Sequence, residues 1–185
     1  MTAKIKLPVL LIFSFTTSFL FAQNNNDTSV SKTYTYTIIN LSGVEDLNVD
    51  TTITGFHFAA NFQGTIVFTK NGEADLNTIN PTAFSFTIAP NMSYNMGVNQ
   101  LDQLMNMSKQ NGFQVNNIVK KDTTISEHKA YYISYIETNS KINYKNSVFN
   151  AFILKDKKLI LFTSGDLSND EYFDKFRKTF YTIKL

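Results

Sequence analysis

The chain has 185 residues, with 17 basic and 15 acidic side chains, two histidines and no cysteine. The missing cysteine excludes disulfides, thiolate metal sites, a cysteine nucleophile and a lipid-modified cysteine. The two excess positive charges are Lys4 and Lys6, so residues 23–185 are charge-balanced and carry one arginine, Arg177; this is no nucleic-acid binder, because neutralising phosphates takes clustered Lys and Arg.

Residues 1–22 read as an export signal. Lys4 and Lys6 give a positive start, Leu7 to Phe21 an apolar run, and Ala22 a small residue for cleavage. The run is interrupted by Ser and Thr and is short of the ~20 apolar residues of a membrane span. No span is expected after cleavage, and the product is periplasmic or secreted. Residues 23–32 (QNNNDTSVSK) are polar and unpatterned, the composition of a flexible linker. One domain, 33–185, remains; a chain of that length buries about 70% of its unfolded surface. With 17 Phe, 9 Tyr and no Trp, its core is aromatic.

Thr33 to Ile39 alternates Tyr and Ile with Thr, the period of a strand. Leu41, Val44, Leu47 and Val49 are spaced too loosely to assign. Gly55–Phe62 and Gly64–Thr69 are the next strand candidates, and Asn71-Gly72 suits a tight turn. Ala83–Ile88 is a strand with Phe84, Phe86 and Ile88 on one face, closed by Pro90. The period then changes. Val98, Leu101, Leu104, Met105 and Ser108 share one helical face, and Asn111-Gly112 fits the end of that helix, 98–110. Met92, Met96, Met105 and Met107 gather around it as core filling.

Phe113, Val115 and Val119 belong to a further strand. Ala130–Glu137 (AYYISYIE) is apolar on both faces, which predicts a central strand covered on both sides. Val148–Leu154 and Leu159–Thr163 form a hairpin across the charged connection 155–158. Ser168 and Glu171 stand three apart, as in a capping box, and predict a helix over 169–180 whose Tyr172, Phe173, Phe176 and Phe180 form a buried stripe. Thr182–Leu185 ends the chain as a short edge strand.

No catalytic, cofactor-binding or metal-ligating residue is assigned. His57 and His128 lack HExxH or His-x-His spacing. Nucleophile-elbow and phosphate-loop patterns do not occur. Ser164-Gly165-Asp166 reads as a turn, and Asp46 and Asp50 do not make an EF-hand. Paired carboxylates on different strands would leave no trace in sequence.

The order of helix 98–110, the strand AYYISYIE, the hairpin ending KKLILFTSG and the terminal DEYFDKFRKTF resembles the Mog1/PsbP-like fold. Leu159, Leu161, Phe162, Thr163, Tyr172, Phe176 and Phe180 carry the likeness over the C-terminal half. It implies a central antiparallel sheet flanked by helices, and accessory or partner-binding roles with no shared catalytic set. The fold expected is α+β, a mainly antiparallel sheet of six to eight strands between helices in an α/β/α sandwich. The function expected is an exported, non-catalytic binding or accessory protein of the cell envelope with a protein partner. An envelope glycan or peptide hydrolase using dispersed carboxylates, and a carrier of a small apolar ligand suggested by Tyr131, Tyr132 and Tyr135, are the alternatives.

Overall fold

The structure is a computed structural model that describes residues 37–41, 44–78 and 81–185. The expected signal (1–22), linker (23–32) and first four residues of the strand at Thr33 lie outside the described residues. Those described form β1 (Thr37–Leu41), β2 (Val44–Val49), β3 (His57–Phe62), β4 (Thr65–Thr69), β5 (Ala83–Ala89), α1 (Tyr94–Gln110), β6 (Gln114–Ile125), β7 (His128–Asn139), β8 (Tyr144–Lys155), β9 (Lys158–Asp166) and α2 (Phe173–Tyr181). Seven strands make one sheet in the order β3-β4-β5-β9-β8-β7-β6, antiparallel throughout. β1 and β2 form a separate hairpin. The architecture is the expected α+β.

Tight turns fix the registers. Gln63-Gly64, Ser126-Glu127 and Asp156-Lys157 each have positive φ at both positions and join directly paired strand ends. Two-residue loops of this kind match the twist of the strands they join. The charged connection 155–158 is thus shorter than the sequence implies, because Lys155 and Lys158 pair across it.

The sheet is covered on both faces, for the reason the alternation of β7 gave. One face carries Phe84, Phe86, Phe149 and Phe162, buried under Tyr172, Phe176 and Phe180 of the terminal segment and under Ile39, Leu47 and Val49 of the β1–β2 hairpin. Its rings touch in a continuous chain: Phe68–Phe84 centroids lie 4.9 Å apart, Phe84–Phe176 5.8 Å and Phe149–Phe180 5.6 Å. Each buried ring contributes roughly 1.5–3 kcal/mol of transfer free energy. The other face carries Tyr131, Ile133, Tyr135, Phe152 and Leu161 under Leu101 and Met105 of α1. Gly97 permits that approach, since a Cβ there would lie 2.7 Å from Phe152 Cε1.

Three local expectations need correction. α1 begins at Tyr94 rather than 98, because the Ser93 hydroxyl accepts the Met96 N–H at 3.3 Å and caps an earlier turn. The capping box at Ser168 does not form. Asn169 and Asp170 take positive φ, 57° and 69°, and the Ser168 hydroxyl pairs with Thr82 Oγ1 at 3.0 Å. α2 therefore starts at Phe173, and the carboxylate of Asp166 caps it instead, accepting N–H from Tyr172 at 2.6 Å and Phe173 at 2.9 Å, with Ser168 N at 2.8 Å. β6 runs on to Ile125 through a polar stretch that gave no apolar period.

Candidate binding groove

α2 lies over β8 and β9, leaving the sheet beyond it open on the β7–β6 side. The space between is a groove of about 360 Å³, with Val119, Tyr132, Ile136 and Phe173 as apolar walls and Ser134 and Arg177 among the polar ones. The period of β7 places these groups: Tyr132, Ser134 and Ile136 alternate with Tyr131, Ile133 and Tyr135, which face α1. A bulge in β6 shapes the other wall. Asn116 pairs with Ile136 and Val119 with Ser134, so β6 holds one extra residue between them, and Asn117 has a φ of 54°. Bulges bend an edge strand and re-aim its side chains; here Val119 comes to line the groove, 48% exposed.

The acids at the groove are already engaged. Asp170 accepts from Lys145 Nζ at 2.5 Å and from the Ser147 hydroxyl. Lys145 first, and then Ser147, hold its carboxyl below the usual range. Asp174 meets Arg177 Nη2 at 2.9 Å. Arg177 keeps further donors, since a guanidinium has five N–H groups. Lys121 stands opposite Tyr132 in the β6–β7 register and makes no ion pair among the described residues. Burial, followed by Tyr181, raises the Tyr132 phenol pKa, and the charge of Arg177 opposes the rise.

The other residues weighed in sequence do not converge. Ser164 is buried and donates to Phe149 O at 2.7 Å, while Asp166 caps α2; Ser164-Gly165-Asp166 is the paired end of β9 rather than the expected turn, and it holds the fold. His57 opens β3 and is exposed; His128 opens β7. Asp50 caps a short 3-10 turn through Thr52 N at 3.0 Å, and Asp46 lies in β2. Tyr131 and Tyr135 are separated from Tyr132 by the sheet, so the three do not line one cavity. Among the described residues no three His, Cys, Asp or Glu side chains gather as a metal site would require.

One group was missed: Glu137, 8% exposed, accepts from the Ser108 hydroxyl and from Asn146 Nδ2 at 3.2 Å. Burial and the Glu137 charge raise the pKa of both neighbouring phenols, Tyr144 to about 12 and Tyr135 further. Nothing in sequence distance connects Ser108, Glu137 and Asn146; the meander does. The network joins α1 to β7 and β8, and two neutral donors hold one acid, an arrangement that secures a carboxylate rather than one that uses it.

No family model matches the chain, and no curated protein matches it. Solved structures do. The chain is similar to the solution structure of cyanobacterial PsbP (CyanoP) from Synechocystis sp. PCC 6803, at 14% identity and a TM-score of 0.50, over 74% of this chain and 89% of that one. The fold is PsbP-like. A crystal structure of PA94, a protein of unknown function from Pseudomonas aeruginosa, aligns at 16% identity and a TM-score of 0.44, over 81% of this chain and 96% of that one. The PsbP-like sheet matches the resemblance read from KKLILFTSG and DEYFDKFRKTF, and the groove lies on its α2 face, beside its β6 edge.

Proposed function

We propose that this chain is an exported, non-catalytic binding or accessory protein of the cell envelope, which engages a protein partner at the groove beside α2. The observation that carries the reading is a groove with apolar walls whose one lining acid, Asp170, is already paired with Lys145. A general base must be free to take a proton. Hydrolysis by dispersed carboxylates would need an unengaged acid facing a second across a shared space, and the groove offers neither. A carrier would need its tyrosines around one cavity, and they lie on two faces of the sheet.

Export rests on the signal-like residues 1–22. Among the described residues no helix is long and apolar enough to cross a membrane. Expression of the full chain in a bacterium with two membranes tests the location: N-terminal sequencing should give a product starting at Gln23 in the periplasmic fraction. A full-length product kept in the cytoplasm refutes export. Cross-linking in envelope fractions of the source organism tests the binding role. One protein should be captured through β6 and α2; capture through other surfaces, or none, refutes it.

A further inference from the structure

We infer that the groove and the adjoining edge of β6 take an extended, acidic peptide segment of the partner, added to the sheet as a further strand. The inference rests on the binding-protein reading and names the chemistry of what is bound.

β6 is the last strand of the sheet, twelve residues long, and its outer edge has no strand partner among the described residues. An unpaired edge of that length is a template for another chain. The opposite edge strand, β3, is half as long and is flanked by the 3-10 turn Gly72–Asn77, whose Gly72 would place a Cβ 2.9 Å from Phe58 O. Added strands draw affinity from main-chain hydrogen bonds and specificity from pockets that accept alternate side chains. Beside β6 the groove provides such a pocket, and exposed Val119 adds apolar surface at its rim.

Charge selects the occupant. The cations on this side are Arg177, Lys145 and Lys121; the anions are Asp170 and Asp174, and both are matched. Lys121 is left over, and Arg177 gives Asp174 a bond through one nitrogen only. The single arginine of a chain that otherwise uses lysine stands at this wall. Arginine, unlike lysine, offers a planar fork matched to a carboxylate.

The test is an NMR titration of isotope-labelled protein, residues 23–185, with two capped hexapeptides that put valine and a charged residue on one strand face, Val-Thr-Glu-Thr-Val-Thr and Val-Thr-Lys-Thr-Val-Thr. The glutamate peptide should shift amides of β6 around Val119–Thr123 and of α2 around Phe173–Arg177, and the shifts should weaken as salt rises. R177Q should weaken binding about tenfold, the loss of one charge-assisted hydrogen bond. K121E should weaken it further, and V119E, on an exposed position, should abolish it. Equal response to the lysine peptide, shifts confined to other surfaces, no shifts, or unchanged affinity in both R177Q and K121E would overturn the inference. Partner capture that survives in R177Q and K121E would also overturn it while leaving the binding role intact; loss of all capture by the wild-type chain would count against that role instead.

Discussion

Replacing Asp166 with alanine separates the observed cap of α2 from the one the sequence suggests. Asp166 is 1% exposed, and its carboxylate accepts from three backbone N–H groups, those of Ser168, Tyr172 and Phe173. A hydrogen bond to a charged group contributes about 1.5–3 kcal/mol, and a buried donor left without a partner costs about 1–3 kcal/mol. The Tyr172 N–H is buried and has no access to replacement water; the Ser168 and Phe173 N–H groups are half-buried and can recover part of theirs. D166A should therefore cost about 3–5 kcal/mol, a large share of the roughly 5–15 kcal/mol of a typical domain. D166N keeps one acceptor oxygen and loses the charge, so it should cost about half as much. S168A removes only a hydroxyl bonded to Thr82 and should cost no more than about 1 kcal/mol. Urea unfolding followed by circular dichroism measures all three. A loss for S168A equal to that for D166A, or a D166A loss under about 1 kcal/mol, would refute the argument.

Other outcomes follow from the same geometry. G97A gains about 1 kcal/mol in helix propensity, but its Cβ would meet Phe152 and Leu159 at 2.7–2.9 Å; with overpacking at about 1–3 kcal/mol, thermal melting should show net destabilisation, and a raised melting temperature would be the contrary result. Lys145 and Ser147 depress the Asp170 carboxyl pKa, so its contribution is present above the unfolded value of about 3.9 and is lost as pH falls through the lower folded value. K145M should therefore lose less stability between pH 6 and pH 3 than wild type. The Tyr144 phenol, at about 12, and the Tyr135 phenol, also raised, favour the folded state below the unfolded value of about 10, and that contribution is lost as pH rises through the folded values. Phenolate absorbance should show these two rings silent until unfolding sets in; titration of all nine tyrosines near pH 10 would contradict their burial.

The strands with regular alternation were legible: β5, β7, β8 and β9 appear where Phe84, Tyr131–Tyr135, Val148–Leu154 and Leu159–Thr163 set them. The buried stripe Tyr172, Phe176 and Phe180 was legible too, at 5%, 0% and 0% exposure. The start of its helix was not. A Ser-x-x-Glu spacing and a carboxylate arriving from the preceding strand end look alike until φ is known, and Asp166 lies outside the window that local spacing examines. α1 was shortened at its start because the apolar spacing begins at Val98, and Gly97, whose missing side chain permits contact with Phe152, adds nothing to that spacing. The latter part of β6 was missed because an edge strand exposed on both faces carries no apolar period. The groove was invisible for a related reason: Val119, Ser134 and Arg177 meet only through strand pairing and the placement of α2, and Asp170, expected at a helix tip, stands at its wall with Lys145.

β9 has a consequence for the order in which the chain can assemble. Among the described residues it is the sole bridge between two meanders, β3–β4–β5 on one side and β6–β7–β8 on the other. The Ser85–Thr163 contact across that seam spans 78 positions. Until β9 and α2 have emerged, the earlier meander, with Phe84 and Phe86, can lean on the β1–β2 hairpin but lacks its neighbouring strand and the terminal helix. Long-range pairing of this kind is slow and leaves strand edges bare in the interval. A truncation before Lys158 would therefore remove more than one strand and one helix: it would leave two half-sheets with no means of joining.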